Sequence, residues 1–298
     1  MVPSILFVIF NRPEKTRSVF STIRAVKPSR LYVAADGPRN KTEAELCLQT
    51  RAIIDEVDWP CEVHTLFREE NLGCGKAVSQ AISWFFENEP EGVIIEDDIL
   101  VDPSFFDFAG EMLERYRDEP RVMTVSACNF LPPELSPKCS YYFSAFSHIW
   151  GWGSWRRAWR YYDFSMMNLE SPKTVDAISN MCPFPGATRY WMEIFHSVRN
   201  GKVDTWDYQW LLAQWHQSGL TICPRVNMMQ NIGFDETATH TKNSGGWEAS
   251  LRAKPLHQPY IHPTELQRYI EGDKYEALSI LRIKPERLNR KILRWLRD

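Results

Sequence analysis

Over the first 130 positions, short apolar runs alternate with apolar residues at helical spacing, the pattern of parallel strands covered by helices. Ile5 to Phe10 predicts the first strand. Pro13 opens a helix whose Val19, Phe20, Ile23 and Val26 recur at helical spacing, with Asn11 or Arg12 near its cap. A second strand, Leu31 to Ala35, ends in the turn residues Asp36-Gly37-Pro38. A helix from about Thr42 to Val57 and a strand near Glu62 to Phe67 follow. The glycine-bearing loop Asn71 to Gly75 leads into a helix with Ala77, Ala81, Ile82 and Phe85 on one face. Gly92 to Ile95 predicts a fourth strand, which runs directly into Glu96-Asp97-Asp98. Asp102-Pro103 starts another helix, and Val122 to Val125 predicts the next strand.

From Tyr141 onward the pattern changes to aromatic-rich segments and a Gly-Trp-Gly turn. A helix from Asp207 to about Gln217 buries Tyr208, Leu211, Leu212 and Trp215. A strand near Leu220 to Cys223 leads to a polar loop, Asn231 to Trp247. The stretch Leu281 to Asp298 places Leu288, Ile292, Leu293 and Trp295 among arginines and a lysine, which predicts a basic amphipathic helix. That helix would either pack on its own domain or a partner chain, or dock on anionic lipid. The expected organisation is one α/β domain over 1–245, divided into a ligand-binding half (1–130) and a second half (131–245), with a helical extension over 246–298.

The chain has 298 residues, 44% of them hydrophobic, enough to bury a sizeable core. A formal charge of -3 supplies no general basic field, and basic residues do not interleave with aromatics as single-stranded nucleic acid requires. Nucleic acid is therefore not an expected partner. The first apolar run is too short for a membrane span and lacks the basic flank of a secretion signal, so the expected location is cytoplasmic. Seven cysteines without C-x-x-C spacing indicate neither a disulfide framework nor a zinc site.

Ligands of open parallel sheets sit beyond the C-terminal ends of the strands. The polar residues there are Asn11, Arg12, Asp36, the stretch Arg68 to Lys76, and Glu96-Asp97-Asp98. Three consecutive acids after Val-Ile-Ile repel one another and lose water, so a hard cation such as Mg2+ or Mn2+, shared with a diphosphate, would offset that cost. The plainer alternative is a solvated acidic turn. No G-x-G-x-x-G follows the first strand and no Walker loop occurs, which removes the dinucleotide and P-loop readings. Lys76 either meets a phosphate or a base, or stands at an ordinary glycine-bearing helix entry. Asp207 either stabilises its own helix N-terminus or acts as general base for an acceptor hydroxyl. His240 is a candidate metal or phosphate ligand in a loop where solvation is the ordinary state. Trp150 and Trp152 form either a floor for a sugar or part of the core.

The ordered set of these motifs resembles the N-acetylglucosaminyltransferase I family over residues 4 to 241. It comprises Asn11-Arg12-Pro13, Ala35-Asp36, Val93 to Asp98, Asp102 to Phe106, Val125-Ser126-Ala127, Gly151-Trp152-Gly153, Trp206 to Trp210, Pro224-Arg225-Val226 and Gly233 to His240. It is also similar to bacterial glycosyltransferases of the haemolysin-related group. The resemblance implies a GT-A nucleotide-diphospho-sugar transferase fold with a mostly parallel sheet and a C-terminal acceptor-side elaboration. It further implies a UDP-sugar donor, Mn2+ and inversion; the expected acceptor is a glycan or a lipid-linked acceptor. On it, Arg12 and Asp36 would contact the nucleotide, Glu96 and Asp97 the donor sugar or ribose, and Asp98 the metal. Trp206 would line the donor site and Asp207 would be the base. Departures at Gly75-Lys76 and at Asn129 to Leu131 leave the sugar open. The competing readings are a non-catalytic nucleotide- or carbohydrate-binding module, and a sugar-nucleotide hydrolase or nucleotidyltransferase.

Overall fold

A computed structural model describes residues 2–234 and 247–284 of the chain. Its first half alternates strands and helices: β1 (Ile5–Ile9), α1 (Pro13–Val26), β2 (Arg30–Ala35), α2 (Lys41–Arg51), β3 (Glu62–Phe67), α3 (Cys74–Asn88) and β4 (Glu91–Glu96). After these come β5 (Ile99–Val101), α4 (Ser104–Arg115), β6 (Val122–Ser126), β7 (Tyr141–Ser144), β8 (Trp152–Trp155) and the short α5 (Arg156–Trp159). The remainder is α6 (Pro172–Met181), α7 (Ala187–Arg199), α8 (Asp207–His216), β9 (Leu220–Pro224), β10 (Met229–Asn231) and α9 (Ile270–Tyr275).

Eight strands form one mostly parallel sheet in the order β3-β2-β1-β4-β8-β6-β9-β7, and β5 pairs with β10 in a separate two-stranded sheet. Only β8 and β7 run against the rest, each antiparallel to its neighbours. The central strands read as unbroken apolar runs because both faces are covered. Ile5, Phe7, Leu31, Val33, Val93 and Ile95 face the core beneath α1 and α4, while Leu6, Tyr32, Ala34 and Ile94 face α3 through Val78, Ile82 and Phe85. The fold is α/β, with helices packed against a mostly parallel central sheet.

Three departures from the sequence expectations have local causes. β1 stops at Ile9 because the Phe10 N–H leaves the ladder and donates to Asp97 Oδ2 at 3.3 Å. The helix after Asp36 ends at Arg51 and tightens into a 3-10 turn, Ala52–Glu56, which seats Ile53 in the core. The Gly-Trp-Gly segment is no turn: Trp152 and Gly153 begin β8, the strand that joins β4 to β6.

α8 is tied to the sheet by a buried polar network. Trp210 Nε1 donates to Thr124 Oγ1 at 3.1 Å, Thr124 donates to Gln214 Oε1 at 2.9 Å, and Gln214 Nε2 reaches Thr221 Oγ1 at 3.1 Å. Fully satisfied networks of this kind fix the position of the helix that carries them.

The described part of the C-terminal segment is helical over Ile270–Tyr275 and Glu276–Ile280 and irregular over most of the stretch before them. Residues 251–269 are mainly irregular, and Arg268 forms a bridge with Phe143 on β7, the last strand of the sheet. Buried Asp273 accepts hydrogen bonds from Ser144 Oγ at 2.7 Å and Ala145 N at 3.2 Å and pairs with Arg268. Covering a strand edge in this way removes unpaired backbone groups from solvent. The basic helix expected over 281–298 lies almost wholly outside the described residues. No described helix is long and apolar enough to cross a membrane.

Candidate active site

The C-terminal ends of β1, β2, β3 and β4 open on one side of the sheet, and β8, running the other way, brings its leading residues Trp150 and Gly151 to the same side. A cavity of about 800 Å³ lies there. Its walls include Arg12, Asp36, Arg39, Arg68, Glu96, Asp97, Asp98, Trp150, Asp204, Trp206, Asp207 and Gly233. This size and polarity fall within the ordinary range of small-molecule sites.

Apart from Asp36, which follows β2, charge is divided across the cavity by strand order. Arg68 follows β3, Arg39, ion-paired with Glu43, follows β2 and Arg12 follows β1, whereas Glu96 ends β4, Asp97 and Asp98 follow it and Asp207 opens α8. Arg12 meets the boundary between the two sets, with Nη1 2.9 Å from Asp98 Oδ2 and 3.5 Å from Asp97 Oδ1. Burial, followed by repulsion from Asp98, Asp97 and Asp207, pushes the Glu96 carboxyl well above the ordinary carboxylate range, with Arg12 opposing. Asp97 is pushed up too, by burial and Asp98 against the pull of Arg12 and of the Phe10 N–H. An added positive charge would relieve this crowding. Among the described residues there is no group of three or more His, Cys, Asp or Glu that could hold a metal ion.

Asp36 stands in the wall, but its carboxylate is committed to the chain. It accepts from Gly37 N at 2.9 Å, Leu72 N at 3.0 Å and Gly73 N at 3.1 Å, and so shapes the loop that enters α3. Thr205 Oγ1 donates to Asp207 Oδ1 at the first residue of α8. The chain after β10 crosses directly over Asp98: Ile232 N donates to the Asp98 carbonyl at 2.8 Å, and a Cβ on Gly233 would lie 2.2 Å from Asp98 Oδ2. Gly233→Ala is therefore expected to displace the Asp98 carboxylate and weaken binding of any ligand that uses it. Calorimetry with a nucleoside diphosphate checks this; an unchanged affinity would count against the placement.

Three expected site residues lie elsewhere. Trp152 is fully buried, because side-chain alternation on β8 turns it onto the α3 face, stacked on Trp206 with ring centroids 5.5 Å apart. It offers no face to a sugar. Lys76 is exposed on α3 and does not line the cavity, since Gly75 turns the helix entry to its own capping partner. Asn11 lies outside the wall and donates to Glu43 Oε1 at 3.3 Å. Trp206 keeps a place in the wall although nearly all of its ring is core, and half-buried Trp150 lines the same cavity. His240 lies outside the described residues. Sequence reasoning missed Arg39, Asp204 and Thr205. Arg39 follows the Asp36-Gly37-Pro38 turn, so reading one residue further would have found it.

No protein-family model matches the chain, and no curated protein matches it. Similarity to solved structures is distant. Staphylococcus aureus TarS 1–349 is 12% identical over 52% of this chain and 47% of that one, with a TM-score of 0.36. Mouse xyloside xylosyltransferase 1 in its apo form is 12% identical over 71% and 80%, with a TM-score of 0.35. A UDP-glucose pyrophosphorylase complexed with UDP-glucose is 10% identical over 75% and 90%, with a TM-score of 0.37. The chain thus spans about half the length of the TarS fragment. Likeness at this level carries no residue roles across.

Proposed function

We propose that this chain is a GT-A-type glycosyltransferase that moves a sugar from a nucleoside diphosphate donor, UDP-linked on the sequence resemblance, to an acceptor hydroxyl of a glycan or lipid-linked glycan. The observation that supports this most is the divided charge of the cavity. Arginines on the β3-β2-β1 side suit a diphosphate, to which guanidinium groups bind in fork geometry. Carboxylates on the β4 and α8 side suit a reacting sugar and a proton acceptor.

The mutually repelling carboxylate oxygens at the end of β4 are of the hard kind that suits a divalent cation, Mn2+ or Mg2+, provided diphosphate oxygens supply the rest of the shell. Asp98 would hold it, and when bound it would stabilise negative charge on the departing diphosphate. The chain's own groups supply the rest. Arg12 binds the diphosphate end while restraining Asp97 and Asp98. Asp207 takes the acceptor proton as the acceptor oxygen forms its bond to the anomeric carbon and the bond from that carbon to the diphosphate oxygen breaks. Attack from the face opposite the leaving group inverts the anomeric centre. Glu96 and Asp97 face the donor sugar or ribose, and Trp150 offers an apolar wall to a sugar face.

A panel of UDP- and GDP-sugars with Mn2+ tests the reading. It expects nucleotide release that accelerates when an acceptor hydroxyl is supplied; release indifferent to every acceptor would favour a hydrolase.

A further inference from the structure

Asp204 joins two walls of the cavity that lie far apart in the chain. Its Oδ1 accepts from the Gly75 N–H at 3.0 Å, across 129 positions. α3 needs such a partner, because its N-cap is Gly73 and no side chain of its own satisfies the first-turn amides. The loop is built around this carboxylate. A Cβ on Gly73, whose φ is +82°, would lie 2.5 Å from Asp204 Oδ2, and one on Gly75 would lie 2.7 Å from both Asp204 Oδ1 and the Thr205 carbonyl. The two glycines are thus accounted for by Asp204, and no phosphate is needed to explain them.

The same strap leads to Asp207 three residues later. Thr205 Oγ1 donates to Asp207 Oδ1, Gln209 Nε2 donates to the Thr205 carbonyl at 2.8 Å, and Tyr162 OH donates to the Trp206 carbonyl at 3.2 Å. The Trp206 ring stacks on Trp152. Every residue from 204 to 207 is therefore held by a named contact, and the first of these contacts fastens the strap to a different wall.

We propose that Asp204 and Thr205 are positioning residues for Asp207. Asp204 fastens the strap to the first turn of α3, and Thr205 sets the orientation of the Asp207 carboxylate. This rests on the reading of Asp207 as the base. Misplacing a reacting group by about 1 Å costs on the order of 10²-fold in rate, so a loosened strap shows in kcat before it shows in donor binding.

The test compares Asp204→Ala, Asp204→Asn, Thr205→Val and Thr205→Ser in the full chain, reading kcat, donor KM, and backbone hydrogen exchange over residues 203–208. Asp204→Ala and Thr205→Val are expected to lower kcat by about 10- to 100-fold, with any rise in donor KM much smaller than the fall in kcat. Asp204→Asn keeps an oxygen that accepts from Gly75 and falls between wild type and Asp204→Ala. Thr205→Ser restores most of what Thr205→Val loses. Exchange over 203–208 rises in Asp204→Ala whether or not turnover is measured. The proposal is overturned by unchanged kcat, by a rise in KM that parallels the fall in kcat, or by Thr205→Ser performing no better than Thr205→Val. Unchanged exchange in Asp204→Ala overturns the fastening while leaving the reading of Asp207 intact. Normal transfer by Asp207→Asn overturns that reading itself, so the two failures are distinguishable.

Discussion

Transfer by an Asp207→Asn variant is expected to fall by about 10²- to 10⁴-fold, the range a positioned general base contributes. The substitution keeps the size of the side chain and removes its capacity to take a proton. Thr205 Oγ1, which donates to Asp207 Oδ1, can donate equally to an amide oxygen, so the strap and the donor pocket stay in place. Donor affinity measured by calorimetry should therefore change little while kcat at saturating donor collapses. This split separates loss of chemistry from loss of binding. Transfer within tenfold of wild type would remove Asp207 from the role.

Chelation of divalent cations and the Asp98→Ala variant should each reduce transfer by a comparable factor. Stabilising charge on a leaving diphosphate is worth several kcal/mol, which corresponds to about 10²- to 10⁴-fold. Added Mn2+ should restore the chelated wild type but not Asp98→Ala. The variant also releases Arg12 from its 2.9 Å contact, so loss of the carboxylate alters the cationic side as well. Comparing the two perturbations controls for this, because chelation leaves the ion pair alone. Full activity in chelator would count against a metal at Asp98.

The parts of the fold that could be read from sequence are those whose burial is continuous along the chain. β1, β2 and β4 show as apolar runs because helices cover both faces, and the acids at the end of β4 show because they interrupt such a run. β8 did not show. Its Trp-Gly-Ser-Trp sequence has the glycine of a turn, and only the neighbouring strands β4 and β6 make it a strand. The same placement separates the two tryptophans: Trp150 precedes the strand and lines the cavity, while Trp152 enters the sheet and is buried in the core. Asp204 was illegible for a different reason. Its partner is Gly75, and no local spacing links residues 129 apart. Glycines in the 73–75 loop carry a signal, but it points equally to a phosphate- or base-binding loop and to an ordinary helix entry, and neither names Asp204. Asp36 was placed correctly at a strand end, yet its hydrogen bonds go to Gly37, Leu72 and Gly73, a backbone demand that a sequence does not display.

Mass analysis of products from an incubation with isotope-labelled UDP-sugar and a hydroxyl-bearing glycan tests the central claim most directly. A glycosyltransferase yields an acceptor heavier by one labelled sugar, together with free UDP in equal amount. Labelled free sugar without acceptor product, or labelled sugar 1-phosphate formed with pyrophosphate, would contradict transfer and assign the cavity to hydrolysis or nucleotidyl exchange.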